Sequence, residues 1–437
     1  MRFLDPESVR LRASARSPAA APNPLPGDAL RYAAGRWGAD AITTTLEALP
    51  EIISVVAVEE KDNLAEWVPE WEELAAAAIE PNVFYEPWQI LPAIEAFGKQ
   101  ACLIHLLVFS AGPATPAARP TLIAYFPLER LRRFRGMPVP GLTLWKHTHC
   151  FLCTPLVRHG YAGQSLAALF SWARSDARGA AIVQFPQVAG DGLFVKELID
   201  FAHERRRPAF IFGSHERALL VPHEDADRYL VASLPNKSRK QHRRLGRRIA
   251  EMGEVEFAAL EPGGDLDAWV ESFLRLEASG WKGRSDTALA CHESERRFFT
   301  RMTREAHQRG RLEMLAMNLN GRPIAMKCNL LAGRGSFSFK IAFDEAYAHF
   351  SPGVLLEVEN IRRLHASPGL RWMDSCAAAN HPMANRLWID RRTIQTVAVS
   401  SGRPMGDSFV RALPLMRWLK HRTARRRAVE TVIGEQS

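Results

Sequence analysis

The stretch that most constrains the fold lies between residues 336 and 376. Residues 336–343 alternate in the manner of a strand. The sequence Ser-Pro-Gly at 351–353 then interrupts the pattern, because proline suits the first turn of a helix and glycine permits close backbone approach. Apolar residues recur at helical spacing from Val354 onward. A second apolar run ends at Asp374, so the segment predicts strand, turn, helix and strand.

The turn before this helix has two interpretations. A helix N-terminus leaves backbone N–H groups without intrahelical acceptors, and such groups bind anions such as phosphate. The simpler alternative is an ordinary β-α-β crossover with a well-formed cap. The window from 336 to 376 leaves both open.

Composition narrows the class of protein. The chain has 437 residues, enough for two ordinary domains, and its 47% hydrophobic and 24% charged residues are typical of a soluble globular protein. No apolar run approaches the ~18 residues that a membrane span needs. The first residues lack a secretory signal, and six scattered cysteines favour free thiols in a reducing cytoplasm. The net charge of +9 indicates attraction to polyanions or to an anionic cofactor.

The order of predicted elements repeats. Each half reads as strand, two helices, three strands, helix, strand, helix, strand, which predicts a mixed α/β fold of two similar lobes. The expected boundaries are a disordered Pro/Ala-rich tail at 1–40, an N-terminal lobe at 41–232, a C-terminal lobe at 233–425 and a tail at 426–437.

Two predictions concern the strands of the first half. Residues 208–212 and 217–221 read as separate strands, and residues 142–152 as a single strand. On that strand the two histidines of the His-Thr-His-Cys sequence at 147–150 would share a face and Cys150 would lie on the other. No second Cys/His pair lies nearby in the sequence, so we expect no metal site.

Several motifs together resemble a known family. They are Leu276–Gly283, Thr287–Leu289, Tyr347, the Phe-Ser-Pro-Gly at 350–353 and the basic segment at 237–248. The chain resembles the GNAT N-acyltransferases, and within them the CelD-like or BioF2-like acetyltransferases, relatives of the FemAB transferases. The resemblance implies two tandem GNAT-like lobes, the first of them degenerate and shaping the acceptor site. It also implies a bacterial enzyme of polysaccharide or envelope biosynthesis.

The resemblance implies direct transfer of an acyl group from acetyl-CoA, or another acyl-CoA, to an amine, with no metal. The backbone of Ala342, Phe343 and Asp344 would supply the oxyanion donor, and the CoA pyrophosphate would lie over the turn formed by Ser351, Pro352, Gly353 and Val354. The acceptor would meet Glu277, Trp281 and Lys282. The candidates for proton transfer are Asp374, His349 and His381.

The chain departs from the family pattern at two places. Many members carry Arg/Gln-x-x-Gly-x-Gly/Ala at the phosphate turn, and here Ala348 and Ser351 occupy the first two of those positions. FemAB-type members often have a lysine soon after the acidic residue of the following strand, and none follows Asp374 within the next dozen residues. The rival classes are therefore a non-enzymatic basic binding module and an aminoacyl-tRNA-dependent transferase.

The densest basic run also has two interpretations. It consists of Lys237, Arg239, Lys240, Arg243, Arg244, Arg247 and Arg248. It could bind nucleic acid, including tRNA. Because no aromatic residues interleave the run, we favour a solvated helix that bridges the lobes and steers an anionic cofactor or acceptor. The sequence identifies neither the acceptor nor the oligomeric state.

Overall fold

The structure, a computed structural model, describes residues 52–59, 61–111, 120–175 and 179–418. The predicted tails at 1–40 and 426–437 lie outside the described residues. Within the described part of the chain, every helix is too short or too polar to cross a lipid bilayer.

The first lobe is the part that contains strands β1 to β7. Its elements in chain order are β1 Ile52–Val58, α1 Val68–Ala76, α2 Pro87–Phe97, β2 Leu103–Ala111, β3 Thr121–Leu131, β4 Gly141–Leu144, β5 Leu156–Val157, α3 Ala162–Ser175, β6 Ile182–Ala189, α4 Leu193–Glu204 and β7 Ala209–Leu220.

The second lobe contains strands β8 to β13 and is preceded by two helices. Its elements are α5 Ala226–Ser233, α6 Asn236–Ala250, β8 Val255–Ala259, α7 Leu266–Ser279, α8 Trp281–Arg284, α9 Glu293–Gln308, β9 Leu312–Leu319, β10 Arg322–Ala332, β11 Gly335–Phe343, α10 Pro352–Ala366, β12 Trp372–Asp374, α11 Pro382–Leu387, β13 Asp390–Ser400 and a last helix, α12, at 404–418.

The described strands form one mixed sheet. Its order is β1-β2-β3-β4-β6-β13-β7-β12-β11-β10-β9-β8, and β5 pairs with β3 beside this path. The two halves of the sheet are arranged alike. In each half four successive strands form three antiparallel pairs, and the fourth of them also has a parallel partner. These parallel pairs are β4 with β6 in the first lobe and β11 with β12 in the second. The predicted mixed α/β fold and repeated element order are confirmed.

The lobes exchange their last strands. β13, the last strand of the second lobe, pairs with β6 and β7 of the first, while β7 also pairs with β12 of the second. One hydrophobic cluster accordingly includes buried residues of both lobes. Phe84 of the first lobe, for example, meets Phe337 and Phe339 of β11 with ring centroids 5.6 and 6.5 Å apart.

Two strand predictions in the first lobe are wrong. Residues 209–220 form one continuous strand, because the polar residues between the two apolar runs lie in the ladder with β13. The strand predicted at 142–152 ends at Leu144, after which the chain leaves β3 and pairs again only at Leu156–Val157. His147 and His149 therefore lie in an irregular segment, and their burial comes from packing against rings of α2 and α9.

Candidate functional site

A gap opens in the sheet where β11 and β12 diverge. β12 pairs in parallel with only the first three residues of β11, Gly335 to Phe337. β11 continues to Phe343 and is hydrogen-bonded in the sheet to β10 alone from Ser338 onward, among the described strands. A bound molecule could therefore lie along the open edge of β11, where Ile341 O accepts from Lys282 Nζ at 3.4 Å and no other described strand covers the backbone groups.

The chain beyond β11 turns sharply into α10. The carboxylate of Asp344 accepts a hydrogen bond from the Ala346 N–H at 3.0 Å and so starts a 3₁₀ turn, Glu345–Phe350. Ser351 then has φ +55°, and Pro352 begins α10. This left-handed residue aims the N-terminus of α10 back toward the end of β11, where a Cβ on Gly353 would lie 3.5 Å from the Phe343 ring.

Few of the predicted backbone donors remain unbonded. The N–H of Ser351 donates to Ala348 O, and the N–H of Val354 donates to Ser351 O. The N–H of Asp344 donates to Ile324 O at 2.8 Å. The Gly353 N–H has no hydrogen-bond acceptor within the described chain. Gly353 is thus the donor of this turn that is best placed to take an external anion.

Two lysines converge on one buried carboxylate beside β11. Glu277 Oε1 accepts from Lys282 Nζ at 2.9 Å and from Lys340 Nζ at 3.4 Å, and its Oε2 accepts from the Leu289 N–H at 2.9 Å. Burial alone would raise the pKa of Glu277, but Lys340 and Lys282 outweigh it, so the pKa lies below its usual value. The pKa of Lys340 is also lowered, chiefly by burial.

Glu277 and Lys282 line a small cleft. Its walls come from α7, α8, the end of β11 and the following turn: Leu276, Glu277, Gly280, Trp281, Lys282, Ile341, Ala342, Phe343 and Glu345. The Trp281 side chain is exposed at the rim, and Glu345 fixes α8 by accepting from the Trp281 N–H at 2.6 Å and from Arg284 at 2.8 Å. The structure thus brings all three predicted acceptor residues to one place.

A histidine of the first lobe approaches the same cluster. His149 Nε2 lies 3.1 Å from Glu295 Oε2 on α9, and its ring stacks on Phe298. Burial lowers the pKa of His149 to about 4, with Lys340 adding to the effect and Glu295 opposing it, so the ring is neutral at pH 7. The first lobe therefore places a neutral histidine within the electrostatic range of Lys340.

Asp374 is held by two arginines. Its side chain is fully buried, and it accepts hydrogen bonds from Arg217 Nη2 at 2.7 Å, Arg392 Nη1 at 2.8 Å and the Cys376 N–H at 2.9 Å, while Arg217 Nε lies 2.7 Å from Oδ1 as an ion pair. Burial would raise its pKa, but the two arginines more than offset this and hold the pKa below its usual range. This geometry fits a positioning residue better than a base, because a strongly paired carboxylate is a weak proton acceptor.

The two predicted histidines lie in different settings. His381 caps α11, its Nδ1 accepting from the Ala384 N–H at 3.2 Å. Burial lowers its pKa, with Lys327 and Lys282 adding to the effect against Glu357, so His381 is neutral at pH 7 with its proton on Nε2. His349 is exposed at the end of the 3₁₀ turn, with its ring 3.9 Å from the ring of Phe350. The structure thus half-buries His381 and leaves His349 exposed.

Lys340 and His149 are the residues of this site that sequence reasoning missed. Lys340 is one polar position in an alternating strand, and nothing local distinguishes it from a solvent-facing lysine. His149 was considered from the sequence only as a candidate metal ligand. Within the described residues, no group of three or more His, Cys, Asp and Glu side chains is arranged to hold a metal ion.

Comparisons with known proteins concern mainly the second lobe. Residues 236–381, one third of the chain, match the family model described as acetyltransferase (GNAT) domain. No curated protein matches the chain. The matched segment runs from the start of α6 to the N-cap of α11 and contains the divergence of β11 and β12, the turn into α10 and the Glu277 cluster.

Solved structures resemble the whole chain at low identity. A crystal structure of FemX has 9% identity and a TM-score of 0.49, with 75% of this chain and 95% of that chain covered. A tandem GNAT protein from the clavulanic acid biosynthesis pathway has 15% identity and a TM-score of 0.40, covering 80% and 99%. A GCN5-related N-acetyltransferase from Kribbella flavida has 11% identity and a TM-score of 0.30, covering 80% and 71%. At these values the likenesses carry no argument about activity.

Proposed function

We propose that this protein is an acyl-CoA-dependent N-acyltransferase that transfers an acetyl or longer acyl group to the amine of a small molecule or an envelope or polysaccharide precursor. One observation carries the proposal: β11 and β12 diverge immediately before a left-handed turn into α10, inside the segment that matches the acetyltransferase (GNAT) family model. The proposal includes the CelD-like or BioF2-like branch, in which a degenerate first lobe shapes the acceptor site.

The donor would lie along the open edge of β11. The Gly353 N–H and the N-terminus of α10 face the position of the pyrophosphate, where a helix dipole favours negative charge. The Asp344 N–H donates to Ile324 of β10, and because successive residues of a strand point their N–H groups to opposite sides, Ala342 also faces β10. The oxyanion donor therefore falls to the Phe343 N–H, which faces the open edge. The ladder with β10 fixes this group, so it would need no reorganisation during the reaction.

The acceptor would enter the cleft at the Glu277 cluster. The amine nitrogen attacks the thioester carbon, the tetrahedral intermediate collapses, and the C–S bond breaks to release CoA as a thiolate that takes up a proton. An acceptor amine is protonated in water, so a group in the site must first accept its proton. Lys340 suits this role in its neutral form, since burial lowers its pKa below the usual lysine value, and Glu277 would stabilise the ammonium that forms when it takes the proton.

The other candidates would act through position. Asp374 and its two arginines hold β7, β12 and β13 together at the floor of the gap. His381, neutral and protonated on Nε2, can donate a hydrogen bond toward the leaving sulfur or the acceptor. His349 has no partner role in this scheme beyond its contact with Phe350.

The test is calorimetric titration of acetyl-CoA, and separately of CoA, into the wild type and Gly353→Asp. A carboxylate at this turn would repel the pyrophosphate, and a Cβ there meets Phe343 only at ordinary contact distance, so the fold should tolerate the change. We expect micromolar binding by the wild type and a loss of at least about tenfold in the variant.

Gly163→Asp is the matched control. Gly163 is the second residue of α3, as Gly353 is of α10, and the space around its Cβ is open. This variant should bind like the wild type. Wild-type protein that binds none of acetyl-CoA, CoA and longer acyl-CoAs would overturn the proposal in favour of a binding module. Turnover that requires aminoacyl-tRNA would favour an aminoacyl-tRNA-dependent transferase.

A further inference from the structure

Helix α6 presents a basic face that the fold does not use. Its buried residues are Ser238, His242, Leu245 and Ile249, which recur at helical spacing and pack against the protein. The remaining surface carries seven cations and no acidic residue: Lys237, Arg239, Lys240, Arg243, Arg244, Arg247 and Arg248. Like charges one turn apart repel, so this surface weakens the helix slightly unless an anion covers it.

None of these seven side chains forms an ion pair with a carboxylate of the described chain. The ends of α6 are nevertheless fixed. Arg386 of α11 donates to Ser238 Oγ at 2.5 Å near its start, and Ile249 joins the cluster of Phe350 and Leu356 near its end. A rigid helix thus holds several cations free of protein partners, within the described residues.

This face lies beside the turn into α10. The guanidinium of Arg248 lies 5.9 Å from the centroid of the Phe350 ring, the residue before Ser351. Because a helix turns by about 100° per residue, Arg244 lies on the same flank as Arg248. Lys240 lies about 12 Å from Arg248 along the helix axis, and these three cations form a stripe on α6. Arg243 lies about 140° round the helix from Arg248, away from the turn.

We propose that Arg244 and Arg248 bind the 3′-phosphate of the acyl-CoA donor, so that the protein recognises CoA by its two separate phosphate groups. The inference rests on the proposed function, which assigns the pyrophosphate to the neighbouring turn. CoA carries a pyrophosphate and, on its ribose, a separate phosphate monoester. An arginine matches a phosphate with two parallel hydrogen bonds, and two arginines on one flank of α6 offer a site for that second group.

A site for the 3′-phosphate also distinguishes between two kinds of acyl donor, free acyl-CoA and an acyl-carrier protein. A phosphopantetheine arm on a carrier protein keeps one phosphodiester that can meet the α10 turn, but it has no 3′-phosphate and leaves the α6 stripe without an anion. The geometry therefore favours free acyl-CoA as the donor over an acyl-carrier protein.

The test compares CoA with 3′-dephospho-CoA by calorimetry at low salt. We expect the wild type to bind CoA about tenfold more tightly than 3′-dephospho-CoA, the value of one good charge-assisted contact. In the Arg244→Gln/Arg248→Gln double variant the two ligands should bind alike, because CoA loses affinity and 3′-dephospho-CoA does not.

Arg243→Gln is the control: it removes one charge from the same helix, where the double variant removes two, and it should keep the wild-type ratio. Retention of the ratio in the double variant, or equal binding of both ligands by the wild type, would overturn this assignment while leaving the proposed function intact. Failure of the wild type to bind either ligand would overturn both. Tighter binding of transfer RNA than of CoA, weakened alike by Arg243→Gln and by the double variant, would instead make α6 a nucleic-acid surface.

Discussion

At the scale of the residue, buried charge governs the site. Asp374 has no exposed surface and accepts three hydrogen bonds, two of them from arginines on strands of both lobes. Removing its charge leaves Arg217 buried without a charged partner, although Arg217 Nη1 still donates to Phe151 O at 2.6 Å, and an unpaired buried charge is costly in a medium of low dielectric. The residue is therefore more important for the fold around the gap than for proton transfer.

We expect Asp374→Asn to lower the free energy of unfolding by about 3–5 kcal/mol, measured in urea. The folded-state pKa is lowered, so the carboxylate's contribution is complete above the unfolded value of about 4 and is lost as the pH falls through the folded pKa. The difference between wild type and variant should thus be constant from pH 7 to about pH 4 and shrink below it. Asp200→Asn, which removes an exposed partner of Lys196, should cost less than about 0.5 kcal/mol.

Lys340 carries the second prediction at this scale. Lys340→Met should reduce kcat by about 10²–10³-fold with an unchanged Kd for CoA, because the lysine acts on the acceptor amine and not on the donor. In the wild type, kcat/KM should rise with pH to a midpoint below the usual lysine pKa of about 10.4, since burial lowers that pKa.

Lys282→Met is the informative comparison for Lys340→Met. Both lysines donate to Glu277 Oε1, but Lys282 comes from α8 at the rim of the cleft. Loss of Lys282 should raise KM for the acceptor, while kcat/KM should still rise with pH as in the wild type. If this rise disappears equally in both variants, the role assigned to Lys340 is contradicted.

At the scale of the element, local pattern predicts most of the chain. The strand at 312–319 and the turn at Asn320-Gly321 follow from alternation and from a dipeptide that adopts positive φ, and both residues have it, at 51° and 75°. The helix after Ser-Pro-Gly likewise begins at Pro352. Elements of this kind depend on neighbours in sequence, so a reader of the sequence can find them.

What local pattern misses depends on distant partners. The polar middle of β7 is a strand because β13, some 180 residues later, pairs with it. No periodicity within 209–220 predicts that pairing. The same holds for the cleft: Glu277 and Lys282 were predicted for the acceptor from a motif, whereas Lys340 joins them only because β11 passes beside α7. Candidate residues near one another in sequence were found, and those brought together by folding were not.

At the scale of the whole molecule, the exchange of β7 and β13 makes the two lobes one folding unit. Each lobe completes its half of the sheet with a strand of the other, and the hydrophobic core crosses the boundary. A second lobe without β7 would expose the edges of β12 and β13 and leave Asp374 without Arg217. Each lobe alone would thus expose strand edges and apolar core surface that the other lobe now covers.

We therefore expect calorimetric unfolding of the full chain to give one transition with equal calorimetric and van't Hoff enthalpies, as a single cooperative unit does. Asp374→Asn should move this whole transition to lower temperature instead of splitting it, because the residue joins strands of both lobes. Residues 233–418 produced alone should lack a cooperative transition. Two resolved transitions in the full chain, or a cooperative transition in the isolated second lobe, would mean that the exchanged strands are not what holds the lobes together.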